Sequence, residues 1–150
     1  MSAALHLAKA EDLEKLLPLV AAFHSEEGID QTDDARRTAL APLLEGNPYG
    51  AIYIVGPARA PIGYVIVTFT WSMEFGGLDA MIDELYIRPA VRGRGLATEV
   101  LLKLSSMLKE AQVHAVHLEV HADNNAAHRL YEKAGFRQRG GYLLMSRVLS

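Results

Sequence analysis

The sequence RGRGLA at residues 92–97 decides the fold prediction, because its glycines stand where a predicted strand gives way to a predicted helix. The strand before it, Met81–Ile87, is closed by Pro89. The helix after it carries one apolar stripe between Leu96 and Ala111. At such a turn, successive amide N–H groups and the positive end of the helix dipole converge on an anion. We therefore predict a phosphate cradle here, with an ordinary strand-to-helix turn as the alternative.

Two common nucleotide-binding loops do not fit this turn. A Walker loop requires Gly-Lys-Ser/Thr, which is missing, and a dinucleotide fingerprint requires a third glycine where this chain has Thr98. Arg92 and Arg94 add positive charge that diphosphate or 3′-phosphate groups favour. The turn therefore predicts another nucleotide-like ligand.

The periodicity of the remaining chain predicts a mixed α/β sheet in a single domain over residues 1–150. The predicted order is βααβββαβαββ. Predicted strands are Ala3–Lys9, Ala51–Val55, Ile62–Phe75, Met81–Ile87, residues 116–120 and a final hairpin over Gln138–Val148. Predicted helices are Glu11–His24, a second from Thr32 or Asp33 to Glu45, a third from Gly95, and a fourth that Asn124 caps and Gly135 ends.

The composition of the chain argues against several classes of function. With 150 residues, 50% of them hydrophobic, the chain has enough apolar surface for one buried core. The absence of cysteine excludes a disulfide framework, a thiolate metal site and a cysteine nucleophile, and it favours a reducing, cytoplasmic location. The formal net charge of −3 argues against general nucleic-acid binding. The apolar run Ile62–Trp71 is far shorter than the ~20 residues of a membrane-spanning helix, so no membrane association is expected.

Two motifs resemble a known family. Arg92-x-x-Gly95-x-Ala97 resembles the Arg/Gln-x-x-Gly-x-Gly/Ala acyl-CoA motif of the GNAT superfamily of N-acetyltransferases. The sequence NNAAHRLYEKAGF at residues 124–136 is similar to the family's Asn-x-x-Ala-x-x-Leu-Tyr-x-x-x-Gly-Phe block. Both motifs stand at family spacing, and the predicted element order is the GNAT order. The resemblance implies a GNAT-like central sheet flanked by helices and acetyl-CoA as the acyl donor.

The resemblance also implies a set of acetyl-CoA contacts. The amides of residues 92–97 would hold the pyrophosphate with Thr98 nearby, and the strand Leu85–Ile87 would pair with the pantetheine arm. In the family this strand carries a bulge and splays from its neighbour, which opens a slot for the thioester. The implied cofactor-binding residues are Leu85, Tyr86, Ile87, Arg92, Gly93, Arg94, Gly95, Leu96, Ala97, Thr98 and Asn124.

Acetyl transfer to an amine requires a neutral nucleophile, a donor to the developing oxyanion and an acid for the departing thiolate. By family pattern a backbone N–H near Tyr86 or Ile87 would polarise the carbonyl. The phenol of Tyr131 would protonate the thiolate, the alternative being a core tyrosine. A primary alkylammonium has a pKa of ~10.4, so a carboxylate or a water chain must remove its proton.

Three acids compete for the role of base, and we rank Glu84 before Glu119 and Asp83. Alternation sends Asp83 and Glu84 to opposite faces of a regular strand. Asp83 stands nine positions before Arg92, as the base does in polyamine acetyltransferases, and Glu84 eight before, as in aminoglycoside acetyltransferases. Glu119, with Tyr131 twelve residues later, resembles the ribosomal-protein N-terminal acetyltransferases. A solvated charge or an arginine partner is the alternative for each.

The acceptor is predicted from the loop expected after the first helix. His24 and Glu27, with His121 from a later strand, are the candidate acceptor-binding residues, and the acidity of this loop favours a cationic acceptor. His117, Glu119 and His121 alternate as a metal triad would, but strand histidines are commoner as hydrogen-bonded neighbours, so no metal is predicted.

The combined prediction is an N-acetyltransferase that moves an acetyl group from acetyl-CoA to a small cationic amine by direct attack. A covalent thioester on the enzyme is excluded because there is no cysteine. A peptide or protein N-terminal acetyltransferase and a non-catalytic acyl-CoA sensor are the alternatives. A homodimer is compatible with the sequence, because such domains often pair through sheet edges or helices.

Overall fold

A five-stranded mixed sheet with helices on both faces forms the framework of the chain. A computed structural model describes residues 3–150. Its strands are β1 (Leu5–Leu7), β2 (Gly50–Val55), β3 (Gly63–Ser72), β4 (Gly77–Ile87) and β5 (Val116–Leu118). Its α-helices are α1 (Leu13–Glu27), α2 (Asp33–Leu44), α3 (Leu96–Glu110) and α4 (Asn125–Lys133), and single 3₁₀ turns lie at Ala10–Asp12 and Pro89–Val91.

The strands lie in sequence order, β1-β2-β3-β4-β5. The first four pair antiparallel, and β5 lies parallel to β4 after the crossover through α3. The predicted mixed α/β fold class is confirmed. The pairing of β4 with β5 covers only Ala80–Ile82 against Val116–Leu118, so the second half of β4 does not pair with β5.

A bulge in β4 sets the direction of the side chains around this separation. The register passes from Ile66 opposite Glu84 to Val67 opposite Ile82, which leaves Asp83 as the extra residue. Ile82 packs into the core on the α3 side of the sheet. Without the bulge Glu84 would share that face, but the extra residue turns Glu84 toward α1.

Each face of the sheet has its own core. The α3 side buries aliphatic side chains, among them Val65, Val67, Ile82, Val100, Leu101 and Leu104, and α4 packs its apolar residues beside them. The α1 and α2 side buries a second set, among them Leu16, Leu19, Ile52, Ile54, Tyr64 and Tyr86. Within residues 3–150, no helix has the length and apolar character needed to cross a membrane.

The helix ends follow local sequence signals. Thr32 caps α2 by accepting a 3.1 Å hydrogen bond from the amide of Ala35, and Asn124 caps α4 through the amide of Ala127 at 3.1 Å. Gly28 ends α1 in the left-handed conformation, with φ 68°, as glycine permits without strain.

The predicted hairpin over Gln138–Val148 is wrong. Residues 137–150 contain no strand, and their side chains are exposed, with Leu143 at 91% and Met145 at 89%. An apolar run becomes a strand only where an edge pairs with it and a core covers it. Here Arg139 instead binds Glu74, in the turn between β3 and β4, at 2.7 Å. The observed order across the described residues is βααβββαβα.

Candidate active site

The glycine-rich turn leads directly into α3. Gly93 and Gly95 have φ values of 80° and 75°, a left-handed conformation that favours glycine. A Cβ atom on either residue would meet no atom within 4 Å, so open space lies over the turn. The first amides of α3, from Leu96 onward, have no acceptor within the helix. The turn therefore has the shape and polarity of an anion cradle.

The two arginines of the turn differ in their surroundings. Arg92 donates to both carboxylate oxygens of Glu26, at 2.8 and 3.0 Å, and to the carbonyl of Ile87 at 2.8 Å. Its guanidinium carbon also lies 5.4 Å from the ring centroid of Tyr86. Arg92 thus ties α1 to the end of β4, whereas the side chain of Arg94 is exposed.

A cavity of about 420 Å³ brings together residues from three parts of the chain. Glu27 comes from the end of α1, Glu119 and His121 follow β5, and Asn124 and Tyr131 come from the start and middle of α4. Its remaining lining residues are Val120, Ala127 and Leu144. Five of the residues predicted for the site therefore meet in one place.

Tyr131 is half-buried in this cavity, and its ring packs edge-on against Phe136 with centroids 6.3 Å apart. Burial raises the pKa of the Tyr131 phenol above its ordinary value, and the negative charge of Glu27 raises it further. The phenol is therefore protonated at neutral pH, the form that a general acid requires.

Glu84 lies in a separate, buried network. Its Oε1 accepts a 2.7 Å hydrogen bond from the Tyr64 hydroxyl, and its Oε2 lies 2.8 Å from Nε2 of His24. The Nδ1 of His24 accepts from Nε of Arg36 at 3.1 Å, which places the ring proton on Nε2 and directs it to Glu84. Burial, and then the charge of Glu84, raise the pKa of Tyr64.

The structure thus separates the three predicted bases. Glu119 lines the cavity of Tyr131, Glu84 is held in the network above, and Asp83 is exposed at the bulge. His24 and Glu27 lie in the last turn of α1 rather than in a following loop, which corrects the predicted helix end. His24 is only 5% exposed.

A third polar cluster lies near the β5 edge of the sheet. Asp79, which is 6% exposed, accepts from the Thr70 hydroxyl and lies 2.9 Å from Nε2 of His117. His117 and Glu119 both line a cavity of about 1360 Å³ that Tyr131 also borders.

Comparison with known proteins gives the family. Residues 13–136 match the acetyltransferase (GNAT) family. The chain belongs to this family. Membership implies acetyl-CoA as the general co-substrate of the family.

Three known proteins are similar to this GNAT acetyltransferase in sequence or in fold. An uncharacterized N-acetyltransferase of Methanocaldococcus jannaschii is 29% identical over 80 residues, 53% of this chain, and the chain spans only 35% of that relative's length. An integron cassette protein from the mobile metagenome of Cole Harbour Salt Marsh is 29% identical, with a TM-score of 0.83 over 97% of this chain and 90% of that one. The aminoglycoside 6′-N-acetyltransferase of Acinetobacter haemolyticus shares the fold, with 16% identity and a TM-score of 0.77 over 98% and 99%.

Sequence reasoning missed two features of this GNAT acetyltransferase. Arg36, which binds His24, comes from α2 and has no local signal. Thr70 and Asp79 face each other in the β3–β4 hairpin, and such a polar pair in a largely apolar hairpin could have been found by aligning the strands. Alternation in the sequence groups His117 with Glu119 and His121, but no cluster of three metal-ligating side chains occurs among residues 3–150.

Proposed function

We propose that this GNAT acetyltransferase transfers the acetyl group of acetyl-CoA to a small cationic amine by direct attack. The observation that carries the proposal is the cavity in which Glu119 and Tyr131 lie together with Glu27. A base, an acid and a second negative charge are the groups that an ammonium acceptor and a thiolate leaving group require.

Acetyl-CoA supplies an activated thioester when it is bound. The residues present fit it, because open space lies over Gly93 and Gly95 and the first amides of α3 are free of helical partners. Of the amides predicted to bind the pyrophosphate, residues 92–97, that of Arg92 donates to the carbonyl of Pro89 at 3.2 Å, so the amides from Gly93 to Ala97 would bind it with Thr98 nearby. The backbone of Leu85–Ile87, beyond the last β4–β5 pair, would bind the extended arm, and Asn124 would border it.

The contacts favour Glu119 as the base over Glu84 and Asp83. Both carboxylate oxygens of Glu84 already accept hydrogen bonds, from Tyr64 and from His24, so both are occupied within the protein. Asp83 is exposed at the bulge, outside the cavity of Tyr131. Glu119 faces that cavity, where it would accept a proton from the amine.

Tyr131 would act as the general acid. Its raised pKa keeps the hydroxyl protonated until the thiolate forms. The backbone N–H groups at the end of β4, near Tyr86 and Ile87, would donate to the carbonyl oxygen as negative charge develops there. These groups are held in place by the β4 bulge and by the bonds of Arg92 to Glu26 and Ile87.

The acceptor class follows from the charges of the cavity. Glu27 and Glu119 supply negative charge, and His121 lies at the same wall, so a cationic amine is attracted and its ammonium form is stabilised at the entrance. Aminoglycosides, named as the acceptor of the A. haemolyticus enzyme of the same fold, belong to this class.

The test is thiol release from acetyl-CoA with polyamines, aminoglycosides, amino acids and short peptides, alongside calorimetry of acetyl-CoA binding. We expect binding and turnover with the cationic amines. Turnover with peptides alone would contradict the acceptor class. Tight binding without turnover on any acceptor would support the acyl-CoA sensor instead.

A further inference from the structure

The two histidine–carboxylate pairs of the sheet differ in one respect. In His24 both ring nitrogens are bonded, Nε2 to Glu84 and Nδ1 to Arg36. In His117 only Nε2 is bonded, at 2.9 Å from Asp79, and within residues 3–150 Nδ1 has no hydrogen-bond partner. His24 is therefore saturated, whereas His117 keeps a basic lone pair.

Asp79 fixes the orientation of the His117 ring. Asp79 is buried, and its second carboxylate oxygen accepts from Thr70, so the carboxylate is held in position against the ring. An aspartate that accepts from one imidazole nitrogen leaves the other nitrogen as the acceptor and stabilises the imidazolium once it forms.

His117 also lines the larger cavity beside β5. Val116 and Leu118 pack into the core on the α3 side, so His117, between them, points to the opposite face. Its side chain is 24% exposed, and it lines the cavity that Glu119 and Tyr131 also line. It is thus open to solvent and to a molecule in the cavity.

The proposed reaction requires groups that accept two protons from the acceptor amine. An alkylammonium loses two protons on becoming an amide, one before attack and one as the tetrahedral adduct collapses. Glu119 can hold only one of these protons at a time, so a second acceptor at the cavity is needed, and an imidazole nitrogen with a free lone pair can serve as one.

Resting on the proposed function, we infer that His117 is a further catalytic residue, the group that accepts the first proton of the acceptor ammonium. The proton passes to Nδ1, and the neutral amine then forms its bond to the thioester carbon. As the C–S bond breaks, Glu119 accepts the second proton and Tyr131 protonates the sulfur. Glu119 returns its proton to Tyr131, and His117 releases the other to solvent. Asp79 and Thr70 are positioning residues.

The first test replaces His117 by Gln in the full chain. We expect kcat/KM for the amine to fall about 10²-fold or more, with acetyl-CoA affinity unchanged. Adding imidazole should restore part of the activity of His117→Ala, because it fits the space vacated. His6→Gln is the matched control, since His6 is an exposed strand histidine on β1, at the opposite edge of the sheet. It should retain wild-type kcat/KM.

The second test reads the ring directly in the wild-type protein, with Asp79→Asn as a comparison. Long-range ¹H–¹⁵N NMR of the wild-type protein should show the His117 proton on Nε2, and Asp79→Asn should give a mixture of tautomers. A proton on Nδ1 in the wild type would overturn the inference. A His117→Gln enzyme with wild-type kcat/KM would also overturn the inference. A wild-type protein that binds acetyl-CoA but transfers no acetyl group would contradict the proposed function itself.

Discussion

Glu84 accepts a 2.7 Å hydrogen bond from the hydroxyl of Tyr64, a residue with a fully buried side chain. With His24 on its other oxygen, Glu84 joins β3 and β4 to α1. We predict that Glu84→Gln lowers the free energy of unfolding by about 1–3 kcal/mol, because the amide cannot accept from both donors. Urea unfolding measures this change. Glu119→Gln, at an exposed position, should stay within about 0.5 kcal/mol of wild type. Equal losses in both variants would contradict the structural role of Glu84.

Glu119→Gln should lower kcat/KM for the amine by about 10²-fold, because a general base is lost while folding is kept. Steady-state thiol release gives the rate, and calorimetry should show unchanged acetyl-CoA affinity. Glu84→Gln serves as the comparison, with rates corrected for the folded fraction. If Glu84→Gln loses more activity than Glu119→Gln after that correction, Glu84 is the base.

Tyr131→Phe should lower kcat and leave acetyl-CoA affinity intact, since only the hydroxyl is removed. The acid works in its protonated form, so kcat should fall as pH rises through its pKa, which lies above the ordinary value of about 10. Glu27→Gln removes a charge that raises this pKa and should therefore move the fall in kcat to lower pH. If kcat falls at the same pH in the wild type, in Tyr131→Phe and in Glu27→Gln, Tyr131 is not the acid.

Gly95→Trp should abolish measurable acetyl-CoA binding, because its side chain would fill the open space over the turn. The matched control is Gly46→Trp, since Gly46 also has a positive φ, 91°, and open space around it but lies between α2 and β2. Both variants carry about 1–2 kcal/mol of backbone strain. Calorimetry at a temperature where both are folded should show binding lost only in Gly95→Trp. Equal affinities would contradict the cradle.

Local signals in the sequence predicted the capped starts of α2 and α4. Thr32 and Asn124 cap their helices through amides three residues away, and Gly28 adopts the left-handed conformation within its own turn. Such interactions depend on a few consecutive residues, so they are visible in the sequence. The family resemblance implied a bulge in this strand but not its position at Asp83, because alternation alone does not show where an extra residue enters a strand.

Interactions between distant elements were not predictable in the same way. The bond between His24 and Glu84 joins residues 60 positions apart, and the one between His117 and Asp79 joins residues 38 apart. The hairpin over Gln138–Val148 failed for a related reason, since its apolar residues gave a strand pattern but no edge pairs with them. Pairing and burial, which decide such segments, are properties of the folded chain.

Mass spectrometry of the products formed from acetyl-CoA and a polyamine tests the central claim most directly. We expect a monoacetylated polyamine that forms one for one with CoA release and only when active wild-type protein is present. The rate of its formation should fall about 10²-fold in Glu119→Gln. CoA release without an acetylated amine, or acetylation at equal rates in wild type and Glu119→Gln, would contradict it.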